Sequence, residues 1–418
     1  MTQAFYTGIS GIRSGQTAID VTADNLANIS TVGYRGYNVE FASLFGDMIN
    51  TSDGTTSVNS NVGIGTRVQA TSANLNEGSL MITDRSTDLA IYGDGWFGIQ
   101  AQGEPLYTRA GSFGFDENND LVTAEGFYVL GTVGGNIEGE VLTGKIDEVV
   151  LGDVGKQEKL RFPKLLSYPA IPSTSANFYA NLGVDDVVRT IGAAVIDAEG
   201  MKNELKLTFT KSPVQTPPGS QWDVVATTQS LDGETLYDTQ TGTVAFDATG
   251  ALVESTLTNI DNNGAVVAMN LGSAYTGVVS INAPISNGSS TADGTIGGDL
   301  LGYEINRNAE VIATFSNGEQ SSVGKIALYH FQNDQGLTRI DGTTFQESSN
   351  SGRPIFYADE NGQNILGAEV INFKLESSNV KIEVSLTELI VQQRVFDSNS
   401  KVITTADQMI QKALNMKK

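Results

Sequence analysis

Cysteine is absent from the 418 residues, which excludes disulfide staples, thiolate nucleophiles and thiolate metal ligands. Histidine occurs once, at His330, so a metal site would have to be built from carboxylates. His330 follows an alternating strand pattern in ALYHFQN and reads as structural. No Ser/His/Asp set has a local signature. No run of apolar residues reaches the ~18 that a membrane-spanning helix needs. The first 25 residues have neither the basic start nor the apolar stretch of a cleavable signal peptide. Basic residues are scarce, with 25 Lys and Arg against 48 Asp and Glu and a net charge of −23. That balance argues against a nucleic-acid partner and against membrane insertion or an anionic membrane surface. The acids are spread along the chain rather than gathered in a tail, so they read first as solubilising.

Glycine is plentiful, at 46 residues against a usual share of about 7%. Gly8, Gly11 and Gly15 fall within GISGIRSGQTAIDVTADNLANIST (8–31), a segment with helical spacing. Each costs about 0.5–1 kcal/mol relative to alanine inside a helix. Two stripes run along this helix in steps of three and four. One is mostly bulky: Phe5, Ile9, Ile12, Gln16, Ile19, Ala23 and Leu26. The other is small: Ala4, Gly8, Gly11, Gly15, Ala18 and Thr22. One globular core needs only one stripe, so two packing partners are expected, and the small stripe admits a second backbone at close range. The C-terminal segment repeats the pattern with Leu386, Leu389, Gln393, Phe396, Ser400, Ile403, Asp407, Ile410 and Leu414 beside Val391, Val395, Ser398, Val402, Thr405 and Met409. Lys412, Lys417 and Lys418 complement the dipole at its end.

Between the helices the texture is β. LKLTFTKS (205–212) alternates, TGTVAFDATGALV (241–253) reads as strand–turn–strand, and VLGTVGGN and IDNNGAV are turns. DENND (116–120) lacks the glycine and distal glutamate of a calcium loop and reads as a hairpin turn. The Gly93–Asp94–Gly95 turn lies between two strands, not before a helix, which argues against a phosphate loop. Trp96 and Phe97 read as core or docking anchors. Composition shifts near 163–175, with Pro163, Pro169 and Pro172, and near 286–299, rich in Ser and Gly; both read as linkers.

The expected layout is a terminal helical inner-core domain (1–30 and 385–418), an extended connecting segment (31–74), a middle β domain (75–162 and 300–384) and an inserted outer β domain (163–299). The fold class is mainly β with long α-helical termini: a nested multi-domain protein whose antiparallel terminal helices form a coiled-coil inner domain. Residue 26 is expected near 389. The segment 33–55 reads either as a docking strut or as a plain connector. Outer contacts are expected to be wet and polar, through Asp185, Asp186, Asp197, Glu199 and Lys202, with few exposed large apolar side chains.

Several motifs resemble those of the flagellar rod and hook axial proteins. Asp20, Asn25, Leu26, Ala27 and Asn28 fit the family's D-x-x-x-x-N-L/I-A-N, and Thr31, Gly33 and Tyr34 fit its T-x-G-[FY]. NSKVITTADQMIQKALNMK (399–417) is similar to its C-terminal signature. TDLAIYGDGWFGI (87–99), LYTRAGSFGFDENNDLVTAEGFYVLG (106–131), VIATFSNGEQSSVGKIALYHFQNDQGL (311–337) and SGRPIF (351–356) are similar to its β-domain motifs. One departure is local: Lys381 and Val384 stand where the family reads more like SNVDLS. The rod members are shorter, and the segment 165–298 is similar to the outer domain of the hook branch.

The resemblance implies an extracellular flagellar homo-polymer: a curved, flexible tube acting as a universal joint, or a rigid rod in the second reading. It implies rod, hook-cap and hook–filament junction proteins as neighbours, and export by the flagellum's own type III apparatus. It implies no enzyme activity, cofactor, catalytic residue or metal. The residues expected to carry assembly are Phe5, Gly8, Ile9, Gly11, Ile12, Gly15, Ile19 and Leu26 at one end. At the other they are Leu386, Leu389, Phe396, Val402, Ile403, Met409, Ile410 and Leu414. A secreted β-rich adhesin or glycan-acting enzyme would have no use for such ends.

Overall fold

The computed structural model describes residues 2–44, 63–101, 103–184, 188–215, 217–283 and 288–416. Asp185, Asp186, Lys417, Lys418 and residues 45–55 of the expected strut lie outside the described residues. The chain is mainly β with a long helix at each end: α1 spans Thr2–Ala27 and α2 spans Ile382–Asn415. After α1 the chain makes a two-stranded antiparallel ribbon, β1 (Tyr37–Ser43) and β2 (Thr66–Ala73). The ribbon lies within the extended connecting segment expected over 31–74.

The largest sheet is built from two separated stretches of sequence. Gln320–Ile326 pairs with Tyr128–Val133, and Leu328–Tyr329 pairs with Trp96–Gln100. One core serves both stretches, from Leu89 to Tyr168 and from Ile305 to Val370. Trp96 and Phe97 are buried in it. Residues between these stretches form two further five-stranded sheets. One is an antiparallel meander through Val188–Ile196, Lys202–Lys211, Ser220–Ser230, Leu236–Phe246 and Leu252–Ser255. The other centres on Ser175–Asn181. They share a second core in which Leu205, Leu207, Phe209 and Trp222 are fully buried. The alternation read in LKLTFTKS is the alternation of that face.

The proline-rich stretch is no free linker. Leu166 and Tyr168 sit in the first core, and the Pro163 carbonyl accepts from Tyr303 Oη at 2.7 Å. The two connections between the cores are also tied to each other. Ile171 and Thr295 form an antiparallel bridge. The Asp293 carboxylate accepts from Thr174 N at 2.8 Å, Ser175 N at 3.0 Å and Thr174 Oγ1 at 2.5 Å. Pairing replaces flexibility because both strands carry backbone groups that need partners.

Two further expectations need correction. Asp197 is not part of a wet surface. It is fully buried, accepting from Glu199 N, Met201 N, Asn203 Nδ2 and Asn263 Nδ2. Large apolar side chains are also exposed in this region, among them Tyr179, Met201, Val214, Leu231 and Val253. Scattered apolar residues on the solvent face of strands are ordinary.

The acids have a local purpose that composition hides. Asp116, Asp197, Asp247 and Asp359 each accept the backbone N–H groups two and four residues on. Asn306 does the same with its amide oxygen. These are side-chain caps on tight hairpin turns. DENND is one of them, and Asp120 beside it is held bidentately by Arg161 at 2.5 and 2.6 Å. The Thr249 hydroxyl and the Ala251 amide hold the Asp247 carboxyl below its usual range. At Asp293 burial opposes ionisation, but the Thr174 and Ser175 donors outweigh it and again lower the pKa. A carboxyl lowered by folding stabilises above its unfolded pKa and loses that effect as pH falls through the folded value. Calorimetry should therefore show stability falling below about pH 4. Asp293→Ala should destabilise the part of the chain between the two ties by about 1 kcal/mol, the donors being partly solvent-compensated, and should reduce the acid dependence. An unchanged melting profile would remove Asp293 from the tie.

Candidate assembly interface: the paired terminal helices and their junction

α1 turns its small stripe inward. Gly8, Gly11, Gly15, Ala18, Thr22 and Asn25 are all buried. A methyl group on Gly8 would stand 2.8 Å from Ile403 Cγ1, and one on Gly11 2.7 Å from Asn399 Nδ2. Glycine at these two positions lets α2 approach to backbone range. Further along, Thr22 Oγ1 donates to Gln392 Oε1 at 3.1 Å. Early residues of α1 meet late residues of α2, so the helices run antiparallel. The covered positions of α2 are Ser385, Leu389, Gln392, Phe396, Asn399, Ile403, Ala406 and Ile410, again in steps of four and three.

The residues expected to carry assembly thus divide between faces. On α1, Gly8 and Gly11 line the intrachain seam, Gly15 is buried but a methyl group there would meet nothing within 4 Å, and Phe5, Ile9, Ile12, Ile19 and Leu26 are half-buried. Ile9 borders a groove between α1 and β2 that Tyr6, Leu44, Ile64 and Val68 also line. On α2, Leu389, Phe396, Ile403 and Ile410 face α1, whereas Leu386, Val402, Met409 and Leu414 are exposed, as are Val391 and Val395. The apolar arc of α2 is wider than the strip that one glycine-lined neighbour covers.

The helices are anchored at one polar junction. Asn25 Nδ2 donates to the Tyr37 carbonyl at 2.7 Å, and its Oδ1 accepts from Tyr37 N at 2.8 Å, pinning the end of α1 to the start of β1. Asp24 accepts from Tyr34 Oη at 3.0 Å and pairs with Arg339 at 3.3 Å. Burial, helped by the Asp24 hydrogen bond, pushes the Tyr34 hydroxyl up to about 12. Gly33 has φ +68°, and a side chain there would collide with the Ala110 backbone. Just before α2, the Asn379 side chain joins three segments. Its Oδ1 accepts from Gly36 N at 2.9 Å, and its Nδ2 donates to the Asn74 and Asn76 carbonyls at 2.7 and 2.8 Å.

Beneath this knot lies a buried ion triad. Glu376 pairs with Arg35 at 3.0 Å and with Arg109 at 3.5 Å, and all three side chains are at most 4% exposed. Gly78 N donates to Glu376 Oε1 at 2.9 Å, and Arg109 Nη2 donates to the Gly93 carbonyl at 2.8 Å. Burial drives the Arg109 pKa down while Glu376 pulls it back up. Among the described residues no cluster of His, Asp and Glu fits a metal ion.

Three family models match this chain where the junction and helices lie, and on the sheet between them. "Flagella basal body rod protein" matches residues 5–35. "Flagellar hook protein FlgE/F/G D1 domain" matches 90–153, and "Flagellar basal body rod FlgEFG protein C-terminal" matches 373–416. Whole-chain relatives agree. The flagellar hook protein FlgE of Borreliella burgdorferi is 27% identical over 100% of both chains. FlgE of Escherichia coli is 27% identical over 99% of this chain and 100% of its own. These models and relatives are flagellar rod and hook axial proteins. FlgE of Brucella suis is 28% identical over 99% of this chain and 98% of its own. Among solved structures, the Helicobacter pylori hook protein FlgE2 matches in fold with a TM-score of 0.52 at 17% identity, covering 71% of this chain and 100% of that one.

The family motifs now have physical content. The asparagine of D-x-x-x-x-N is the Asn25 clamp on Tyr37, and the glycine of T-x-G-[FY] is the left-handed Gly33 under Ala110. Arg35, Arg109, Glu376 and Asn379 are junction positions that sequence reasoning missed, since Arg35, Arg109 and Asn379 sit in loops and Glu376 ends a strand of only 3 residues. The departure at Lys381 is visible too. It occupies the N-cap of α2 in extended conformation and makes no side-chain capping bond.

Two outcomes follow. Glu376→Gln keeps an acceptor for Gly78 but leaves two guanidinium groups buried without a counter-charge, and denaturant unfolding should register a loss of about 3–5 kcal/mol. A loss under about 1 kcal/mol would mean that the triad is not what holds the junction. Lys381→Asp supplies an N-cap acceptor and a favourable charge at the dipole's positive end, and should stabilise the start of α2 by about 0.5–2 kcal/mol, read as slower amide exchange over residues 382–386.

Proposed function

We propose that this chain is a structural subunit of the bacterial flagellar hook, self-assembling through its terminal helices into a curved, flexible tube that transmits motor torque as a universal joint. The carrying observation is the unpartnered side of α2. Val391, Val395, Val402 and Met409 are 55%, 47%, 40% and 54% exposed, on the stripe beside the one that α1 covers. Apolar residues at helical spacing on a second face are ready-made for neighbouring copies. In this reading α1 and α2 form a coiled-coil inner domain, the sheet around the first core is the middle domain, and the two sheets around the second core are an inserted outer domain. The rod, hook cap and hook–filament junction proteins are its neighbours along the axis. It reaches the cell exterior through the flagellar export apparatus. It needs no cofactor and performs no catalysis.

The connections near 171 and 295 suit this work. Two tied strands resist separation while still allowing the outer sheets to tilt as rows of subunits shorten and lengthen in rotation. A rod subunit remains the second reading, since two of the three family models are titled for the rod.

Electron microscopy of purified protein under polymerising conditions separates these readings: curved tubes support the hook, straight rigid tubes the rod, and no polymer defeats both. Removing residues 1–26 should abolish tubes. Val402→Asp with Met409→Asp should leave the unassembled chain folded by circular dichroism, both sites being exposed, with stability within about 0.5 kcal/mol of the parent. The same variant should form no tubes; normal tubes would take that face of α2 out of the interface.

A further inference from the structure

The β1–β2 ribbon is gripped at both of its edges by a side-chain amide, at one level. Tyr37 and Ala73 face each other across it. On the outer edge of β1, Asn25 of α1 accepts from Tyr37 N at 2.8 Å and donates to the Tyr37 carbonyl at 2.7 Å. On the outer edge of β2, Gln335 of the β body accepts from Ala73 N at 3.1 Å and donates to the Ala73 carbonyl at 2.7 Å. Each carboxamide stands in for a neighbouring strand, since its C=O and N–H match the pair of backbone groups that an edge presents. The two grips differ in environment. Asn25 is 7% exposed, whereas both Gln335 bonds lie in solvent.

α1 and the ribbon make one unit. At the far end of the ribbon, Ser14 Oγ donates to the Thr66 carbonyl at 3.2 Å and Ser10 Oγ accepts from Thr66 N at 3.3 Å. That unit meets the β body at two places of opposite character. One is the buried knot in which Glu376 pairs with Arg35 and Arg109, and Asn379 joins Gly36, Asn74 and Asn76. The other is the surface segment 334–339. Besides Gln335 it carries Arg339, whose guanidinium pairs with Asp24 of α1 at 3.3 Å and lies 5.1 and 5.4 Å from the centres of the Tyr34 and Tyr37 rings. The Arg339 and Asp24 side chains are 27% and 51% exposed. Between α1, the ribbon and this segment runs a cleft of about 530 Å³, lined among others by Val21, Thr71, Leu75, Trp96, Leu337 and Phe345. Side chains on opposite walls of an open cleft make few dispersion contacts, so the polar grips are what resists its widening.

We propose that residues 334–339 are a releasable clasp: Gln335 and Arg339 hold the α1–ribbon unit down on the β body, and when both let go the unit swings about the buried knot and the cleft opens.

The two grips act together because they stand on one short segment and seize one unit. Opening requires both to release, so weakening either lowers the cost of opening. The knot cannot release so readily, since parting it would strand buried charges. Exposed ion pairs and amide bonds exchange with water at small net cost. The point from which the helices leave the body is therefore fixed, and their tilt is adjustable. This device belongs to the single chain, and its failure would leave the polymer reading untouched.

Hydrogen–deuterium exchange of the dilute, unassembled full-length chain tests it, with the Ala73 and Tyr37 amides as a matched pair. Arg339→Gln removes the ion pair and the ring contacts but touches no bond to Ala73. It should speed Ala73 exchange about three- to tenfold, the usual worth of such exposed contacts, and leave Tyr37 unchanged. Unchanged Ala73 exchange overturns the clasp, because the grips then act separately. Equal acceleration at Tyr37 overturns it as well, because the ribbon then unfolds instead of swinging. The absence of cysteine permits a second measurement. Spin labels on Gln16→Cys in α1 and Glu125→Cys in the β body, both exposed positions, should report one distance with the clasp intact. Adding Arg339→Gln with Gln335→Ala should bring in a second distance, and a single unchanged distance in that background overturns the proposal.

Discussion

A single buried carboxylate organises the place where this molecule changes character. Glu376 neutralises Arg35, which follows α1, and Arg109, which belongs to the β body, and it stands shortly before α2. The chain's two ends are thereby brought to one spot although more than 300 residues lie between Arg35 and Glu376. The arrangement is stable only as a whole, because removing the anion strands two buried cations, a far larger penalty than the net worth of either pair. Asn379 and Asn25 add direction to this charge balance. Each satisfies backbone groups on a different segment, so the helices leave the body at a fixed point.

From that point the geometry of the helices follows from side-chain size. Glycine on α1 lets α2 come close, and a close neighbour covers only a narrow strip of each helix. Large apolar residues of α2 that lie outside the strip stay in solvent. A bulkier inner stripe would have held the helices further apart and allowed larger side chains to interdigitate across the gap, hiding more of the apolar arc. Small residues inside and large residues outside are thus one design choice with two consequences: a tight pair within the chain and an unsatisfied face around it.

How much of this the sequence discloses depends on range. The helices, the alternation of 205–209 and the turns at 247–250 and 263–264 are legible because period and turn chemistry are local. The presence of two stripes on α1 is legible as well, but which stripe faces α2 is not, since that depends on what the partner offers. The proline-rich stretch misleads. Composition suggests a loose linker at 163–175, whereas Leu166 and Tyr168 belong to a core and Asp293 ties the connection from more than a hundred residues away. The ion triad and the approach of Asp94 to His330 leave no trace in any window of sequence, because the partners arrive from distant segments of the chain. The family signature marks several of these loops without giving the reason.

The acidic composition also changes meaning once its places are known. Net charge suggests solubility, yet Asp116, Asp197, Asp247 and Asp359 each close a turn by accepting two backbone hydrogens, and Asp120 and Glu376 are buried against arginine. A tight turn leaves N–H groups pointing inward with no strand to receive them. A short carboxylate at the first position is the cheapest acceptor that reaches both, and it leaves no freedom to the loop it closes. The β bodies are therefore stiffened at their corners as well as in their cores. Asp293 uses the same chemistry between strands, tying the two connections between the cores with one carboxylate.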